Sequence, residues 1–375
     1  MVQAAGEIVA AGLTSENIDS TVHFFEGVLD GENSENNINL RFPFPPVFPS
    51  CDRRDAPYDL PESKLRGAIH IPPEFRYGAP GAPQPIILVP GTGNTGYLNF
   101  QGNYIKLLKN SHVADPVWLN IPDFLNDDAQ TNAEYVAYAI NYISRISGNK
   151  KIAVATWSQG GIDAQWALKF WPSTRSKVTD LIAFSPDYKG TYLANFAATP
   201  GIPLPVAYLQ QDYYSNFIKA LRSDGGDSAY VPTTNIYSGF FDEIVEPQQG
   251  QNASAYLLDA RHVGVTNNEV QSICPGQPAG SFYAHEGTLY NPIGYALFVD
   301  ALKHDGPGRV DRIQGQLKTM CGDYLTPGLD LADFLLTENT ILAAVVTLLL
   351  NPHKSTVEPA IKREPQHFPI QNTKN

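Results

Sequence analysis

The sequence predicts an α/β fold, in which helices cover both faces of a mostly parallel central sheet, plus an N-terminal extension. Three observations predict it. From residue 85 onward, short runs rich in Ile and Val alternate with helical stretches, and buried strands of this kind belong to helix-covered parallel sheets. The 375 residues and 43% hydrophobic content suffice for a large core without metal or disulfides. The chain also has no internal repeat, the sign of solenoid and propeller architectures.

The predicted elements alternate along the chain. Their order is strand 85–89, helix 97–110, strand 117–121, helix 129–147, strand 152–156, helix 159–170, strands 181–184 and 235–237, and helix 291–302. Each strand is a short apolar run bounded by turn residues. The longest helix, 129–147, is supported by apolar residues at helical spacing, namely Tyr135, Ala139, Ile140 and Ile143. The next helix, 159–170, ends before Pro172.

The N-terminal extension differs from the rest of the chain in composition. Residues 1–40 hold seven carboxylates and no Lys or Arg, and so supply −7 of the formal net charge of −12. Residues 43–90 hold 12 of the 30 prolines, a density that favours an extended strap over helix or central strand. Before the strap, residues 4–13 and 21–29 fit short amphipathic helices.

Charge and hydropathy exclude several classes of protein. A net charge of −12 argues against nucleic acid as a partner, because phosphates require a basic surface. The longest clean apolar run, residues 341–350, is about half the ~20 residues of a membrane-spanning helix, so we expect no transmembrane anchor. Glu7 interrupts the only candidate for a signal peptide. We therefore expect no export signal in the chain as given, which fits a cytosolic protein or one whose signal was removed.

A literal GxGxxG motif, formed by Gly91, Gly93 and Gly96, directly follows the first predicted strand. In a dinucleotide-binding fold these glycines let the backbone approach the pyrophosphate of NAD(P), and Asp123 would bind the ribose. Pro90 at the strand exit argues against this interpretation, and so does the distance to Asp123, which exceeds the usual ~20 residues. Two alternatives stay open: a turn that uses glycine for geometry alone, and a loop that presents donors to an oxyanion.

A second strand-to-helix junction carries a serine, in the sequence TWSQGG at 156–161. A nucleophile elbow holds its serine in a strained turn and needs small residues nearby; Gly160 fits, whereas Thr156 stands where the G-x-S-x-G motif has its first glycine. The backbone N–H of Gln159 would face a developing negative charge at the helix N-terminus. The alternative is that Ser158 only caps the helix, the commoner role of serine at such a junction.

The histidine of a serine hydrolase of this architecture follows the serine and the acid in the chain. His285 lies in a loop of small residues just before helix 291–302, which suits an oriented but mobile imidazole. His262 lies in a polar stretch, and His304 stands at a helix end, where a cation that stabilises the helix dipole is the simpler interpretation. We therefore predict that His285 is the base.

Three carboxylates compete for the position of the acid. Asp242 follows strand 235–237 after a short loop and is preferred. Asp187 ends the strand after the elbow helix and is the rival of Asp242. A purely structural role for Asp187 would be in a turn or as a helix cap. We expect it instead to be a pocket residue. Glu243 is a weaker rival.

Several segments resemble Candida antarctica lipase B-like fungal lipases. The similar segments are 88–93 (LVPGTG), 156–161 (TWSQGG), 171–178 (WPSTRSKV), 185–191 (SPDYKGT), 231–235 (VPTTN) and 242–245 (DEIV). The resemblance runs with few gaps from about residue 84 to about residue 326. It implies an α/β-hydrolase fold, and because that family uses threonine in the first elbow position, Thr156 becomes a match. It also implies a catalytic domain at 81–375 behind an N-terminal extension at 1–80.

The resemblance implies a role for each matching residue. Ser158 is then the nucleophile, His285 the general base and acid, and Asp242 the group that orients the imidazole, while Thr92 and Gln159 provide the oxyanion hole. The GxGxxG segment becomes the loop that carries Thr92. The implied substrate pocket has Trp157 on the alcohol side, a polar pair formed by Asp187 and Gln211 in the acyl channel, and an apolar wall formed by Ile244 and Val245.

The resemblance also implies structural features outside the triad. Cys274 and Cys321 match one family disulfide, and Cys51 is left as a free thiol because the expected partner near Val117 is absent. Asn94 and Asn99 stand where the family's alcohol pocket has smaller hydroxyl residues, which bears on stereopreference. In position, the C-terminal helix at 329–350 resembles a helix at the channel mouth.

The sequence therefore predicts a serine lipase or esterase that acts on hydrophobic esters, with no cofactor and no metal. The alternatives are a carboxylesterase for short soluble esters, an NAD(P)-binding oxidoreductase that uses Gly91, Gly93 and Gly96, and an inactive fold kept for binding. We expect a secreted monomer that contacts a lipid interface, since the family is extracellular and a disulfide needs oxidising conditions. Asn252 is a candidate glycosylation site, and residues 188–205 form a lid or a loop.

Overall fold

The computed structural model describes residues 31–109, 111–197 and 201–362, and it contains a seven-stranded sheet. The strands are β1 (Ile69–His70), β2 (Gln84–Val89), β3 (Ala114–Leu119), β4 (Ile152–Trp157), β5 (Val178–Phe184), β6 (Thr233–Tyr237) and β7 (Val265–Glu269). Their order is β1-β3-β2-β4-β5-β6-β7, and every pair is parallel except β1 with β3. The predicted parallel sheet is confirmed, whereas the helices predicted at 4–13 and 21–29 lie outside the described residues.

Helices connect the strands and cover the sheet. They are α1 (Glu62–Gly67), α2 (Gly96–Phe100), α3 (Tyr104–Leu108), α4 (Ala129–Ile146), α5 (Gln159–Phe170), α6 (Tyr192–Ala197), α7 (Val206–Gln210), α8 (Asn216–Arg222), α9 (Val270–Ile273), α10 (Pro292–Lys303), α11 (Gln314–Cys321) and α12 (Leu331–Leu350). Helices α4 and α5 begin and end within one residue of their predicted limits.

Two apolar clusters lie on opposite faces of the sheet. Along β2, Ile87 and Val89 pack into the cluster that contains α4 and α5, whereas Ile86 and Leu88 pack into the cluster that contains α10. Successive side chains of a strand point to opposite faces, so an unbroken apolar run such as PIILV requires helices on both sides. This confirms the predicted layers.

The helix predicted at 97–110 is two helices, α2 and α3, separated by a break at residues 101–103. The break lies against α12: a Cβ built on Gly102 would stand 2.6 Å from the carbonyl oxygen of Asp333. Asn103 accepts a hydrogen bond from the N–H of Tyr104 at the start of α3 and donates one to Thr337 Oγ1 of α12 at 3.1 Å. The close approach of α12 thus interrupts the predicted helix between α2 and α3.

The expectation that the proline-rich stretch 43–90 contains no helix is wrong. Helix α1 and strand β1 form between Pro61 and Pro72, where the chain has no proline. Strand β1 pairs antiparallel with β3 at the sheet edge, and Leu65, Ile69 and Phe75 belong to the same apolar cluster as α4. Part of the proline-rich stretch, from Leu65 to Phe75, therefore shares the core of the sheet domain.

Helix α12 is longer than the ten-residue apolar run suggested. Its 20 residues are long and apolar enough, by length and composition, to cross a membrane. A core helix of a soluble protein meets the same criterion, and 44% of the most apolar window of α12 is buried. One such helix is weak support for an anchor, so the prediction of no transmembrane anchor stays a prediction.

Candidate active site

Ser158 occupies the turn between β4 and α5 in a strained backbone conformation. Its φ of 53° and ψ of −129° lie in a region that non-glycine residues rarely adopt. Glycines follow because there is no room for side chains: a Cβ on Gly160 would stand 2.6 Å from Pro90 O, and one on Gly161 2.6 Å from Pro186 Cβ. The Ser158 side chain makes no capping hydrogen bond, which disfavours the helix-cap interpretation and fits a nucleophile elbow.

His285 and Asp242 are brought together from separate loops. The Nδ1 atom of His285 lies 2.9 Å from Oδ2 and 3.0 Å from Oδ1 of Asp242, and both side chains are buried. The carboxylate is itself fixed, because Oδ1 accepts hydrogen bonds from the N–H groups of Ile244 (3.1 Å) and Val245 (2.8 Å). The preferred acid and the preferred histidine of the sequence analysis are therefore neighbours.

The protonation of His285 reflects two opposed effects. Burial alone lowers the pKa of the imidazole, but the charge and hydrogen bond of Asp242, together with the charges of Glu243 and Asp187, outweigh burial and raise that pKa above its ordinary value. Glu243 also holds the backbone: its Oε2 accepts a hydrogen bond from the His285 N–H at 3.0 Å. The third candidate carboxylate thus orients the loop that carries the imidazole.

The second ring nitrogen of His285 is free. Within residues 31–109, 111–197 and 201–362, Nε2 is buried and has no hydrogen-bond partner, and no hydrogen bond links it to the Ser158 hydroxyl. The ring lies 4.9 Å from the ring of Trp157, centroid to centroid, next to Ser158 in the chain. The His285 carbonyl accepts hydrogen bonds from Trp157 Nε1 (3.3 Å) and Ser185 Oγ (3.1 Å). The imidazole is therefore held through Nδ1 and packed against Trp157, while Nε2 is left to exchange a proton.

The other histidines considered from the sequence lie elsewhere. His304 Nδ1 stands 3.0 Å from Asp300 Oδ1 at the end of α10, as its helix-end interpretation predicted. His262 is exposed, in a loop after Arg261. Ser185 was not singled out from the sequence, although it directly follows β5, and polar residues at the carboxyl ends of parallel strands meet at one sheet edge.

Thr92, Gln159 and Gln211 form one hydrogen-bonded network. The Thr92 hydroxyl lies 2.6 Å from Gln159 Oε1, and Gln211 Nε2 donates to Thr92 Oγ1 at 3.0 Å and to Gln159 Oε1 at 3.1 Å. Gln159 is the first residue of α5, where backbone N–H groups have no acceptor within the helix and favour negative charge. The two predicted oxyanion residues are therefore adjacent, and Gln211 joins them.

Each glycine of the GxGxxG motif has a packing reason. A Cβ on Gly91 would lie 2.5 Å from the Trp157 ring, one on Gly93 2.3 Å from Ala344 Cα of α12, and one on Gly96 2.7 Å from Leu119 O. At Gly93, the second glycine, where a dinucleotide-binding fold lets the pyrophosphate approach the backbone, α12 fills the space instead. Asp123, the candidate ribose ligand, is exposed. These contacts favour the structural interpretation of the motif over NAD(P) binding.

The two asparagines of the expected alcohol pocket hold the same loop. Asn99 Oδ1 accepts a hydrogen bond from the Gly91 N–H at 2.9 Å. Asn94 Nδ2 donates to Thr340 O of α12 at 3.0 Å. Both side chains are buried, so they fix the position of the oxyanion loop, and their effect on stereopreference stays a prediction.

Asp187 is buried near the triad but does not pair with Gln211. Neither Asp187 carboxylate oxygen has a hydrogen-bond partner in the part of the chain that the structure describes. Burial raises the pKa of Asp187 to about 7, with the His285 charge opposing the rise and the Asp242 charge adding to it. The polar pair implied by the resemblance is therefore not hydrogen-bonded. Of the apolar wall, Val245 is buried and Ile244 half-buried.

Helix α12 and a disulfide fix the segment around His285. Glu338 Oε1 of α12 accepts a hydrogen bond from Tyr290 Oη at 2.9 Å, just after the His285 loop. The predicted disulfide Cys274–Cys321 is present, with its Cα atoms 5.4 Å apart. Cys51 is a free thiol, as expected.

Comparison with known proteins identifies the family. No protein-family model matches the chain. The chain is 42% identical over 224 residues to lipase B of Pseudozyma antarctica, a match that covers 59% of this chain and 62%, less than two thirds, of that protein. The crystal structure of Aspergillus fumigatus lipase B matches with a TM-score of 0.85 and 45% sequence identity, over 96% of this chain and 89% of that one. Such identity over nearly the whole of both chains shows that this protein belongs to the lipase B family of α/β-hydrolases.

Proposed function

We propose that the protein is a serine lipase or esterase that hydrolyses or transfers the acyl groups of hydrophobic esters. The observation that carries the proposal is the buried His285. Its Nδ1 is held by Asp242 while its Nε2 has no partner among the described residues. Its ring lies 4.9 Å from that of Trp157, the residue before a serine in an elbow conformation. Two lipases B are its relatives by name.

The proposed reaction is an acyl transfer in two steps. Ser158 Oγ attacks the ester carbonyl while His285 Nε2 takes its proton, and the imidazolium then protonates the leaving alcohol. Water or another alcohol repeats the sequence on the acyl-enzyme. Asp242 stabilises the imidazolium and fixes its orientation, which agrees with the raised pKa of His285.

The oxyanion of the tetrahedral intermediate would be held by the backbone N–H of Gln159 and by Thr92. Removal of one such donor typically costs about 3 to 4 kcal/mol of transition-state stabilisation. Gln211 supports both residues through Thr92 Oγ1 and Gln159 Oε1. This network ties the two predicted donors to one another, and donors that need no rearrangement at the moment of reaction are the effective ones.

Hydrophobic esters are the proposed substrates. Trp157 would line the alcohol side, with Val245 and Ile244 on the acyl side, where Asp187 and Gln211 add polar groups. Large apolar side chains are exposed at the end of α12, with Leu349 58% and Leu350 51% accessible, which supports contact with a lipid interface. Tributyrin or triolein emulsions compared with p-nitrophenyl acetate separate a lipase from a carboxylesterase for soluble esters.

The decisive experiment is covalent labelling of Ser158. We expect a fluorophosphonate probe to modify Ser158 of the native protein, and Ser158→Ala to lose both the label and ester hydrolysis. Ser185→Ala is the matched control, because it removes a neighbouring hydroxyl whose hydrogen-bond partners among the described residues are the His285 carbonyl and Thr288, and it should keep the label. Hydrolysis at the wild-type rate by Ser158→Ala would refute the proposal.

We further propose a monomer in an oxidising compartment. The Cys274–Cys321 disulfide supports such a compartment. Light scattering on the purified protein tests the oligomeric state, and secretion from an expression host that carries the native gene tests the localisation.

A further inference from the structure

Three consecutive residues at the active-site edge of the sheet have left-handed backbone conformations. Asp123, Phe124 and Leu125 have φ values of 54°, 55° and 56°, in the connection from β3 to α4. None of them is glycine, and each such residue costs free energy because its Cβ crowds the neighbouring carbonyl. Strain of this kind persists only where surrounding contacts hold it, and it clusters at functional sites. We call residues 123–125 the left-handed turn.

Two carbonyls of the turn and the carbonyl of the next residue accept hydrogen bonds from three separate parts of the chain. Phe124 O accepts a hydrogen bond from the Gly93 N–H at 2.8 Å. Leu125 O accepts one from Gln159 Nε2 at 3.1 Å. Asn126 O, directly after the turn, accepts one from the Ala207 N–H at 3.3 Å. Consecutive peptide carbonyls point the same way in a helical conformation, so the left-handed conformation sets the directions of the Phe124 and Leu125 carbonyls. Asn126 itself is right-handed, with φ −79° and ψ −10°.

Each of these three donors is connected to one member of the hydrogen-bonded network of Thr92, Gln159 and Gln211, which we call the oxyanion network. Gly93 follows Thr92 in the chain, Gln159 is itself a member, and Ala207 O accepts a hydrogen bond from Gln211 Nε2 at 3.1 Å. The turn is held in its own right from α4, because Leu125 O also accepts from Asn132 Nδ2 at 3.1 Å. One short segment therefore connects the oxyanion loop, the nucleophile helix and the helix before Gln211.

We propose that the left-handed turn is the positioning element of the oxyanion hole. Its residues do not touch the reacting atoms; they set the positions of Thr92 and Gln159. The inference rests on the proposed function, since it concerns the donors of that reaction. Donors that are displaced by a fraction of an ångström lose contact with the oxyanion but leave the bound substrate unchanged, so kcat falls while KM does not.

Asp123 is the position at which the backbone conformation can be changed alone. Its side chain is exposed and makes no hydrogen bond among those of the described residues. Glycine and asparagine tolerate a left-handed backbone, alanine tolerates it less, and β-branched valine least. All four replacements remove the same charge. The series Asp123→Gly, Asp123→Asn, Asp123→Ala and Asp123→Val therefore varies only the ease of forming the turn.

We expect kcat for a p-nitrophenyl ester to follow this order. The Gly and Asn variants should stay within about twofold of each other, and the Val variant should lose about tenfold or more, with KM within about twofold. A phenylboronic acid, which forms a tetrahedral adduct with the serine, should lose affinity in parallel with kcat. If the Val variant does not fold, the comparison of Gly and Asn with Ala decides the question.

Two results would overturn the inference: equal kcat across the series, or a loss in kcat with unchanged affinity for the boronic acid. A merely structural turn would change unfolding without moving the boronic acid affinity of the folded variants. Failure of the proposed function is distinguishable, because Ser158→Ala would then keep full activity. An inactive Ser158→Ala with a flat Asp123 series would refute the positioning role alone.

Discussion

The replacement Asp187→Asn tests how a buried carboxyl group affects the triad. Asp187 is fully buried and neither oxygen has a partner among the described residues, so the charged form is poorly solvated. Burial accordingly raises the pKa of this carboxyl from 3.8 to about 7. The folded protein then holds a proton that the unfolded chain has released, and asparagine removes this titration while keeping the shape.

The sign and size of the effect follow from proton linkage. Because the pKa is higher in the folded state, the contribution of Asp187 to stability is fully present below pH 3.8 and is lost as pH rises through 3.8 to about 7. The difference between the pKa values of Asp187 in the unfolded and folded states corresponds to about 4 kcal/mol of unfolding free energy. Between pH 4 and pH 8, Asp187→Asn should therefore gain about that much in free energy of unfolding relative to the wild type.

Urea denaturation at pH values from 4 to 8 measures this difference, and the pH dependence of kcat/KM gives a second readout. The charge of Asp187 helps to raise the pKa of His285, so Asp187→Asn should move the acid limb to lower pH. Asp180→Asn is the matched control: burial also raises the pKa of Asp180 to about 7, but His285 is not among its partners. A difference in unfolding free energy that stays constant from pH 4 to pH 8 would refute the reasoning.

Three further predictions concern packing and covalent structure. Gly93→Ala should lower the free energy of unfolding by about 3 kcal/mol or more, because φ of Gly93 is +75° and α12 fills the space around it. Gly81 has the same φ but open surroundings, so Gly81→Ala should lose only about 1 kcal/mol. Urea denaturation compares the two variants. The double variant Cys274→Ser/Cys321→Ser should lose about 4 kcal/mol in the same assay, for a loop with a sequence separation of 47. Thiol titration in denaturant should find Cys51 alone, and three thiols after reduction; three thiols before reduction would contradict the disulfide.

Local sequence signals sufficed for part of the fold. Helix α5 was predicted with its observed limits because Gly160 and Gly161 open it after the strand and Pro172 follows it. The break between α2 and α3 was not predictable, since it depends on Asp333 and Thr337, more than 200 residues away. Strand β7 was missed because its sequence, VTNNE, lacks the apolar alternation by which strands are recognised.

The same distinction applies to the site. Chain order favoured His285 and Asp242 as partners of Ser158, and the structure brings these two residues into contact. The left-handed turn had no signal, because nothing in an Asp-Phe-Leu sequence demands a positive φ as glycine would. Asp123 accordingly attracted attention only as a ribose ligand, a role that depends on charge rather than on backbone conformation.

The position of α12 has a consequence for biosynthesis. This helix is the last one in the described part of the chain, yet it packs on Gly93 beside the oxyanion loop and bonds to Tyr290 beside the His285 loop. During translation, the ribosome therefore adds Ser158, Asp242 and His285 well before it adds α12, which holds their loops. Hydrolytic competence should appear late and abruptly during translation, and a nascent chain stalled before Leu331 should not react with a fluorophosphonate.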